Sequence, residues 1–448
     1  MREVGFEPTW PFGHGLLRAA CLTRFHHSGV PATIASPRSD NPPPVDAAAR
    51  MDVIRELCSF ENRLAGTDAE RRAANWLATR LRGAGRRAEI EPTYVHPRYG
   101  LVHAAHCALG FGASLVAIVV PALGFAIVLA TAVSMYLDLN YRAYLIRRLF
   151  FRRASQNVVA PGKRAGAPAR VLLCAHYDAA RTGAAFNPKL VARGARLATR
   201  LSIPIGPFRV LFWSLAVLLP ILGARMAGID SALISALQLP PTLILLVGVF
   251  LLTDMELSEV APGANDNASG VATVLSLAEE LDADPPANLD VWVLLTGGEE
   301  CLQEGMRSFV RAHRADLDRE TTYFVNLDTV GDGTVRFEAC AGWVVTYRLD
   351  RRLVELCAAI ATADRESSDR YQARPLIHGL AGDSMPPRVA GFPATAITCL
   401  NSLNYVPDRH TPNDTPDRVN AAALDRAHGF ALELVRALDR DVGRRTSR

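Results

Sequence analysis

The sequence predicts an α/β fold: a mixed, largely buried central β-sheet flanked by helices and interrupted by two inserted transmembrane helical hairpins. Three observations predict it. Short apolar runs alternate with segments of helical period through most of the chain. Two long apolar blocks break that alternation. The composition agrees, with 49% of 448 residues in the set AVILMFWYC before 32 glycines are counted, and a mean hydropathy of +0.11. Soluble domains reach about 45–50% with glycine included. A disordered or low-complexity chain is excluded, because such chains lack the apolar residues for a core.

The elements follow in order. Residues 1–50 hold Pro42-Pro43-Pro44 and scattered His and Arg, with no sustained period and no signal-peptide layout. They are expected to be a non-native or disordered extension, with the true start at Met51. Residues 51–98 open the catalytic domain. Apolar spacing predicts helices over 52–57 and 70–81, then a strand over 86–95. Residues 99–139 form the first hairpin. Tyr99–Leu137 carries no Asp, Glu, Lys or Arg. One helix of that length would measure about 58 Å, against a hydrocarbon core of about 30 Å, so two helices turning near Pro121 fit better.

Residues 140–205 return to the catalytic domain, with strands over 154–160 and 169–176. Residues 206–253 form the second hairpin, with Arg209 at an interface and Arg225 and Asp230 at its turn. Residues 254–440 complete the domain. Helices are expected over 267–281, 302–314, 347–363 and 416–438, and strands over 289–297, 321–330 and 392–399. A disordered tail is expected at 441–448. Length alone would give about three domains. The two apolar blocks give one catalytic domain interrupted twice.

The net charge of +4 is small, and the basic residues are 47 Arg against Lys163 and Lys189. No nucleic-acid partner is expected. The 8 Cys are scattered with no CxxC pair, which excludes a disulfide framework or structural zinc finger and fits a reducing compartment.

Five segments place His, Asp or Glu at strand ends, where α/β sheets gather ligands. In CAHYDAA, His176 and Asp178 are two apart at the end of an apolar strand. In extended chain they point the same way, and a neighbouring carboxylate can hold the second nitrogen of a metal-bound His. In GANDNASGVA, Asp266 enters a helix whose Ala268, Ser269 and Gly270 permit close approach to the sheet. In LLTGGEEC, Glu299 and Glu300 end a fully apolar strand, where paired carboxylates are costly without a cation. One can bind a metal while the other faces the substrate as base. Asp328 in NLDTVGDG and His410 in RHTPNDTPDRV complete the set. Each segment alone has an ordinary alternative, such as a helix cap or a solvated charge pair. Together they offer two His and three carboxylates as ligands, plus a spare Glu. Oxygen and imidazole donors without thiolates suit zinc or another divalent first-row metal. Five ligands exceed what one catalytic zinc needs, so a carboxylate bridging two ions is the simplest arrangement.

At QNVVA, AHYD, GANDNASGVA, the strand-end EE, NLDTVG and HTPNDTPDRV the chain resembles the co-catalytic dizinc aminopeptidases, a family that also holds the glutamate carboxypeptidase II-like enzymes. The resemblance covers about 154–200 and 254–440, and more weakly 51–95. It implies a sheet of the zinc exopeptidase type and two Zn2+ ions. It implies that His176 and Asp328 bind one ion, that Glu300 and His410 bind the other, and that Asp266 bridges both. Glu299 becomes the general base, and Asp178 orients His176. A cis peptide between Asp266 and Asn267 is implied as well. Asp383 and Ser384 fall where the family has a substrate-side loop. Two departures stand out. Arg409 occupies the place of a Tyr that contacts the intermediate in many relatives, with Tyr405 a nearby substitute. A short loop of the relatives is here the apolar block 206–253.

His176 precedes that block and Asp266 follows it, so the block must cross a bilayer an even number of times. Residues 140–200 carry 11 Arg and 2 Lys against Asp178 alone. The positive-inside rule then puts the catalytic domain on the cytoplasmic side of the cell membrane. The expected protein is an integral membrane aminopeptidase acting on a peptide or other N-terminal amide, with the lipid bilayer as partner and the oligomeric state open. The rivals are a glutaminyl-cyclase-like transferase with one zinc and a non-catalytic membrane scaffold.

Overall fold

The computed structural model describes residues 47–201, 206–377 and 379–447. Its elements are α1 (Ala47–Ser59), α2 (Asp68–Gly83), β1 (Glu89–Val95), α3 (Tyr99–Val116), α4 (Pro121–Leu139), β2 (Arg153–Ala160) and β3 (Ala169–His176). Then come α5 (Pro188–Leu201), α6 (Pro207–Met226), α7 (Ala232–Leu257), α8 (Ser269–Ala283), β4 (Leu289–Thr296), α9 (Glu304–His313) and β5 (Thr322–Leu327). The chain continues through β6 (Thr334–Glu338), β7 (Cys340–Ala341), β8 (Tyr347–Arg348), α10 (Arg351–Ser367), β9 (Arg374–Leu376), α11 (Met385–Val389), β10 (Ala394–Leu400) and α12 (Ala421–Thr446).

Eight strands form one mixed sheet in the order β1-β2-β4-β3-β5-β10-β6-β9. The four central strands, β4, β3, β5 and β10, are mutually parallel. They are buried on both faces, which is why they read as continuous apolar runs rather than alternating ones. Side chains of α1, α2, α8, α10 and α12 build the larger core against the sheet. Phe309, Phe324 and Phe392 anchor a second core on the opposite face.

The two apolar blocks pack into a bundle of their own around Cys107, Val128, Leu215 and Leu245. α3, α4, α6 and α7 are each long and apolar enough to cross a membrane. Pro121 opens α4, and Arg225 in the last turn of α6 pairs with Asp230 in the following turn. Inside the bundle, Gln238 donates to Ser114, Ser114 meets Thr242 at 2.6 Å, and Arg225 donates to Gln238. Gly110 permits the close contact of α3 with α6, since a Cβ there would stand 2.4 Å from Leu215 Cδ2.

Several boundaries differ from expectation. Most of the extension 1–50 lies outside the described residues, but α1 begins at Ala47. Arg50 is buried, pairs with Asp425 and donates to Ser276 Oγ, so the folded part starts before Met51. The tail expected at 441–448 is instead the end of α12 through Thr446. Buried Val442 and the Asp441–Arg352 pair hold it. Residues 347–350 are not helical: β8 pairs with β7, and Asp350 caps α10 by accepting from Leu353 N. The second hairpin runs on to Leu257 rather than 253. The last helix starts at Ala421 under an Asn420 cap, not at 416. Helix α5 and strands β6 and β9 were not anticipated.

Candidate metal centre

Because β3, β4, β5 and β10 are parallel, their C-terminal ends share one edge of the sheet. His176 ends β3, Glu299 and Glu300 follow β4, Asp328 follows β5, and His410 lies on the connection leaving β10. Asp266 reaches the same edge from the segment Ala264–Ala268 before α8. Gly270 lets α8 sit this close: a Cβ there would stand 2.4 Å from Leu327 O. The Asp266–Asn267 peptide is cis.

Asp266 is the centre of the cluster. Its Oδ1 lies 3.2 Å from His176 Nε2, and its Oδ2 lies 3.1 Å from His410 Nε2. Asp328 Oδ1 stands 3.7 Å from the same His176 nitrogen, and Glu300 Oε1 stands 3.4 Å from the same His410 nitrogen. His176 Nε2, His410 Nε2, Asp266 Oδ1, Glu300 Oε1 and Asp328 Oδ1 are all buried without a hydrogen-bond partner. Buried polar atoms are normally satisfied, so five converging orphans point to a missing ligand. Donors around a tetrahedral zinc at about 2.1 Å are about 3.4 Å apart. The spacings seen here match that edge, so the donor set fits zinc by both chemistry and geometry.

The electrostatics fit as well. Burial raises Glu299 well above the usual carboxylate range; nearby His176 opposes this, while Glu300, Asp383 and Asp328 add to it. Burial alone would lower the His410 imidazolium, but Glu300 and Asp266 outweigh it and push it up to about 9. Asp266 is held well below the usual range: burial opposes ionisation, but Arg409, His176 and His410 overcome it. The cluster thus holds compensating charges, the situation a cation would replace.

Residues 250–435 match a family described as Peptidase family M28. That stretch is less than half of the chain. The match includes Asp266, Glu299, Glu300, Asp328 and His410, while His176 is contributed from before it. Among solved structures, the chain is similar to a zinc aminopeptidase from Bacillus subtilis, at 14% identity and TM-score 0.51, covering 88% of this chain and 96% of that one. It is similar to a Zn-dependent exopeptidase from Parabacteroides distasonis, at 15% identity and TM-score 0.50, covering 88% and 98%. A glutaminyl cyclase from Bacteroides thetaiotaomicron aligns at 14% identity and TM-score 0.49, covering 88% and 99%. At these identities the likeness is one of fold. No curated protein matches the chain. The donor set and its spacing fit zinc.

Around the cluster, four residues hold the candidate ligands. Asp178 reaches His176 Nδ1 only at 3.5 Å, but its two oxygens accept from the backbone N of Glu299 and Glu300, each at 3.1 Å. It orders the Glu299–Glu300 turn as well as facing His176. Asn267 Oδ1 accepts from Thr329 N and Gly270 N, tying the Asp266 segment to the end of β5. Asp414 accepts from Asn265 N at 2.7 Å and Asp266 N at 3.0 Å.

Gln303 is the fourth. Its Nε2 donates to Glu299 Oε1 at 2.6 Å and to Ala381 O at 3.3 Å. Its Oε1 accepts from Tyr141 Oη at 2.7 Å and Trp343 Nε1 at 3.2 Å. An indole N–H can only donate, so Trp343 fixes which way the amide points. Tyr141 lies just beyond α4, and Trp343 packs edge-on against Phe208 of α6. The apolar bundle is thereby connected to Glu299. Nothing in sequence marked Gln303, because its partners lie 40 and 162 residues away.

The three residues expected to bind substrate fare differently. Arg409 is at the site: its Nε donates to Asp266 Oδ2 at 2.8 Å, and its side chain is 30% exposed. Asp383 is fully buried beside Glu299, and accepts from Thr296 Oγ1 at the end of β4. Tyr405 is half-buried in a turn closed by Asn401, whose N donates to Tyr405 O and whose Oδ1 accepts from Tyr405 N. The structure does not bring it to the ligand cluster.

Proposed function

We propose that the protein is a membrane-anchored dizinc peptidase that removes N-terminal residues from a peptide or a related amide. The observation that carries this reading is the geometry of Asp266. Each of its oxygens faces a different buried imidazole, and each imidazole has a second carboxylate beside it. His176 and Asp328 would hold one ion, Glu300 and His410 the other, with Asp266 between them. Zinc held there would supply Lewis acidity, activating a water and polarising the scissile carbonyl.

The chain's own groups supply the rest. Gln303 occupies Glu299 Oε1, which leaves Oε2 to take the proton of the attacking water. As the C–O bond forms and the C–N bond breaks, Glu299 delivers that proton to the departing amine. Its upward-shifted carboxyl suits both halves of the transfer. Arg409, cationic and partly exposed, is placed to steady negative charge developing on the carbonyl oxygen. The four apolar helices anchor the domain in the bilayer. The basic excess over 140–200 supports a cytoplasmic catalytic domain.

The test is release of a chromophore from aminoacyl substrates by the wild type and by Glu299→Gln. The wild type should hydrolyse them, and the variant should retain zinc yet lose activity. Two inactive proteins, both with metal bound, would end the aminopeptidase reading.

A further inference from the structure

Helix α5 is not used by the catalytic machinery, yet its residues are sharply divided. Lys189, Arg193, Arg196 and Arg200 follow the i, i+4, i+7, i+11 spacing of one helix face. Leu190, Val191, Gly194, Leu197 and Ala198 occupy the other. The helix has no Asp or Glu. Its apolar face is not covered by the fold: no residue of 188–200 is buried, and Leu190 and Leu197 are 52% and 49% exposed. An amphipathic helix of a soluble domain turns that face to a core.

The position of α5 is as informative as its pattern. Before it, the turn around Gly183 is pinned to the last turns of α7. Ala184 N donates to Asp254 Oδ2 at 2.7 Å, and Thr182 N donates to Glu259 O at 2.8 Å. After it, five residues lead from Leu201 to Gly206, where α6 begins, a step of at most about 18 Å. The second half of α7 packs on the first turns of α6, since a Cβ on Gly248 would stand 2.6 Å from Leu211 Cδ2. Both ends of α5 are therefore tethered to the same end of the apolar bundle.

We propose that α5 is an interfacial helix that lies along the membrane surface and binds anionic phospholipid headgroups. This rests on the reading of the four apolar helices as membrane spans. The leucine face enters the headgroup–acyl boundary while the four cations meet lipid phosphates, the arrangement such helices adopt. The consequence reaches the metal centre. Phe186, two residues before α5, packs on the His410 ring with centroids 4.4 Å apart. Seating α5 on lipid fixes the turn that carries Phe186, so the wall of the site beside His410 stands at the membrane surface.

The full chain, reconstituted in vesicles of phosphatidylcholine with or without phosphatidylglycerol, tests this. A spin label at Leu197→Cys should be reached better by oxygen than by a water-soluble nickel complex when phosphatidylglycerol is present. A label at Arg193→Cys should show the reverse, with the labelled wild type as background. Arg193→Glu with Arg196→Glu and Arg200→Glu should move the Leu197 label into water. The same triple change should slow hydrolysis several-fold in phosphatidylglycerol vesicles while leaving the rate in detergent unchanged. A Leu197 label open to the nickel complex in both lipids, on a chain that resists alkaline extraction, overturns the proposal and leaves the membrane spans standing. A chain that washes out at alkaline pH overturns the spans, and the proposal with them.

Discussion

The sheet edge and the apolar bundle both bury polar side chains, but they do so in opposite ways. In the bundle, Ser114, Gln238, Thr242 and Arg225 satisfy one another through short hydrogen bonds. At the sheet edge, His176, Asp266, Glu300, Asp328 and His410 converge with their inward atoms unpartnered. The first pattern joins the apolar helices to one another through their polar side chains. The second is a coordination shell. The same residue classes thus report packing in one region and chemistry in the other, and the distinguishing mark is whether the polar atoms close on themselves.

That contrast can be broken by substitution. The largest effect is expected from Glu299→Gln, which should lower kcat about 10²–10⁴-fold with zinc retained, measured by steady-state hydrolysis and metal analysis. Gln303→Leu comes next. It frees Glu299 Oε1 and should lower kcat up to about 10²-fold, with KM little changed, because it mispositions the base rather than removing a substrate contact. In the bundle, Gln238→Leu leaves Ser114 and Arg225 short of a partner. It should cost about 1–2 kcal/mol of stability in detergent unfolding and leave kcat unchanged.

The smallest effect concerns Glu70, which accepts from Gly66 N and Ser155 Oγ behind the site. Burial, with help from Asp178, raises it from an ordinary 4.5 to about 8. The folded state therefore binds this proton more tightly than the unfolded one. Its contribution is fully present below about pH 4.5 and is lost as pH rises through about 8. Glu70→Gln should flatten the fall in Tm across that window.

Much of the site was legible because His176, Glu299, Glu300 and Asp328 lie at the ends of apolar strands, and parallel strands deliver their ends to one edge. The segments around His176, Asp266, Glu299, Asp328 and His410 carry that signal locally. What was not legible depends on contacts distant in sequence. The clamp from Tyr141 and Trp343 through Gln303 is one case. The use of Asp414 to hold Asn265 and Asp266 is another. Asp383 was expected near the site only from the resemblance, and its hydrogen bond from Thr296 is visible only in the fold. The boundaries of the apolar blocks were nearly right, because a long apolar run with few or no charges needs no tertiary information to be recognised. Helix α5 escaped notice because its two faces make sense only beside the bundle end that tethers it.

The central claim is that the Asp266 cluster holds two ions. The most direct measurement is the zinc content per chain of the purified full-length protein, alongside Asp266→Ala. About two zinc ions in the wild type, both lost in the variant, is the expected result. One ion per chain, unaffected by removing Asp266, would contradict it.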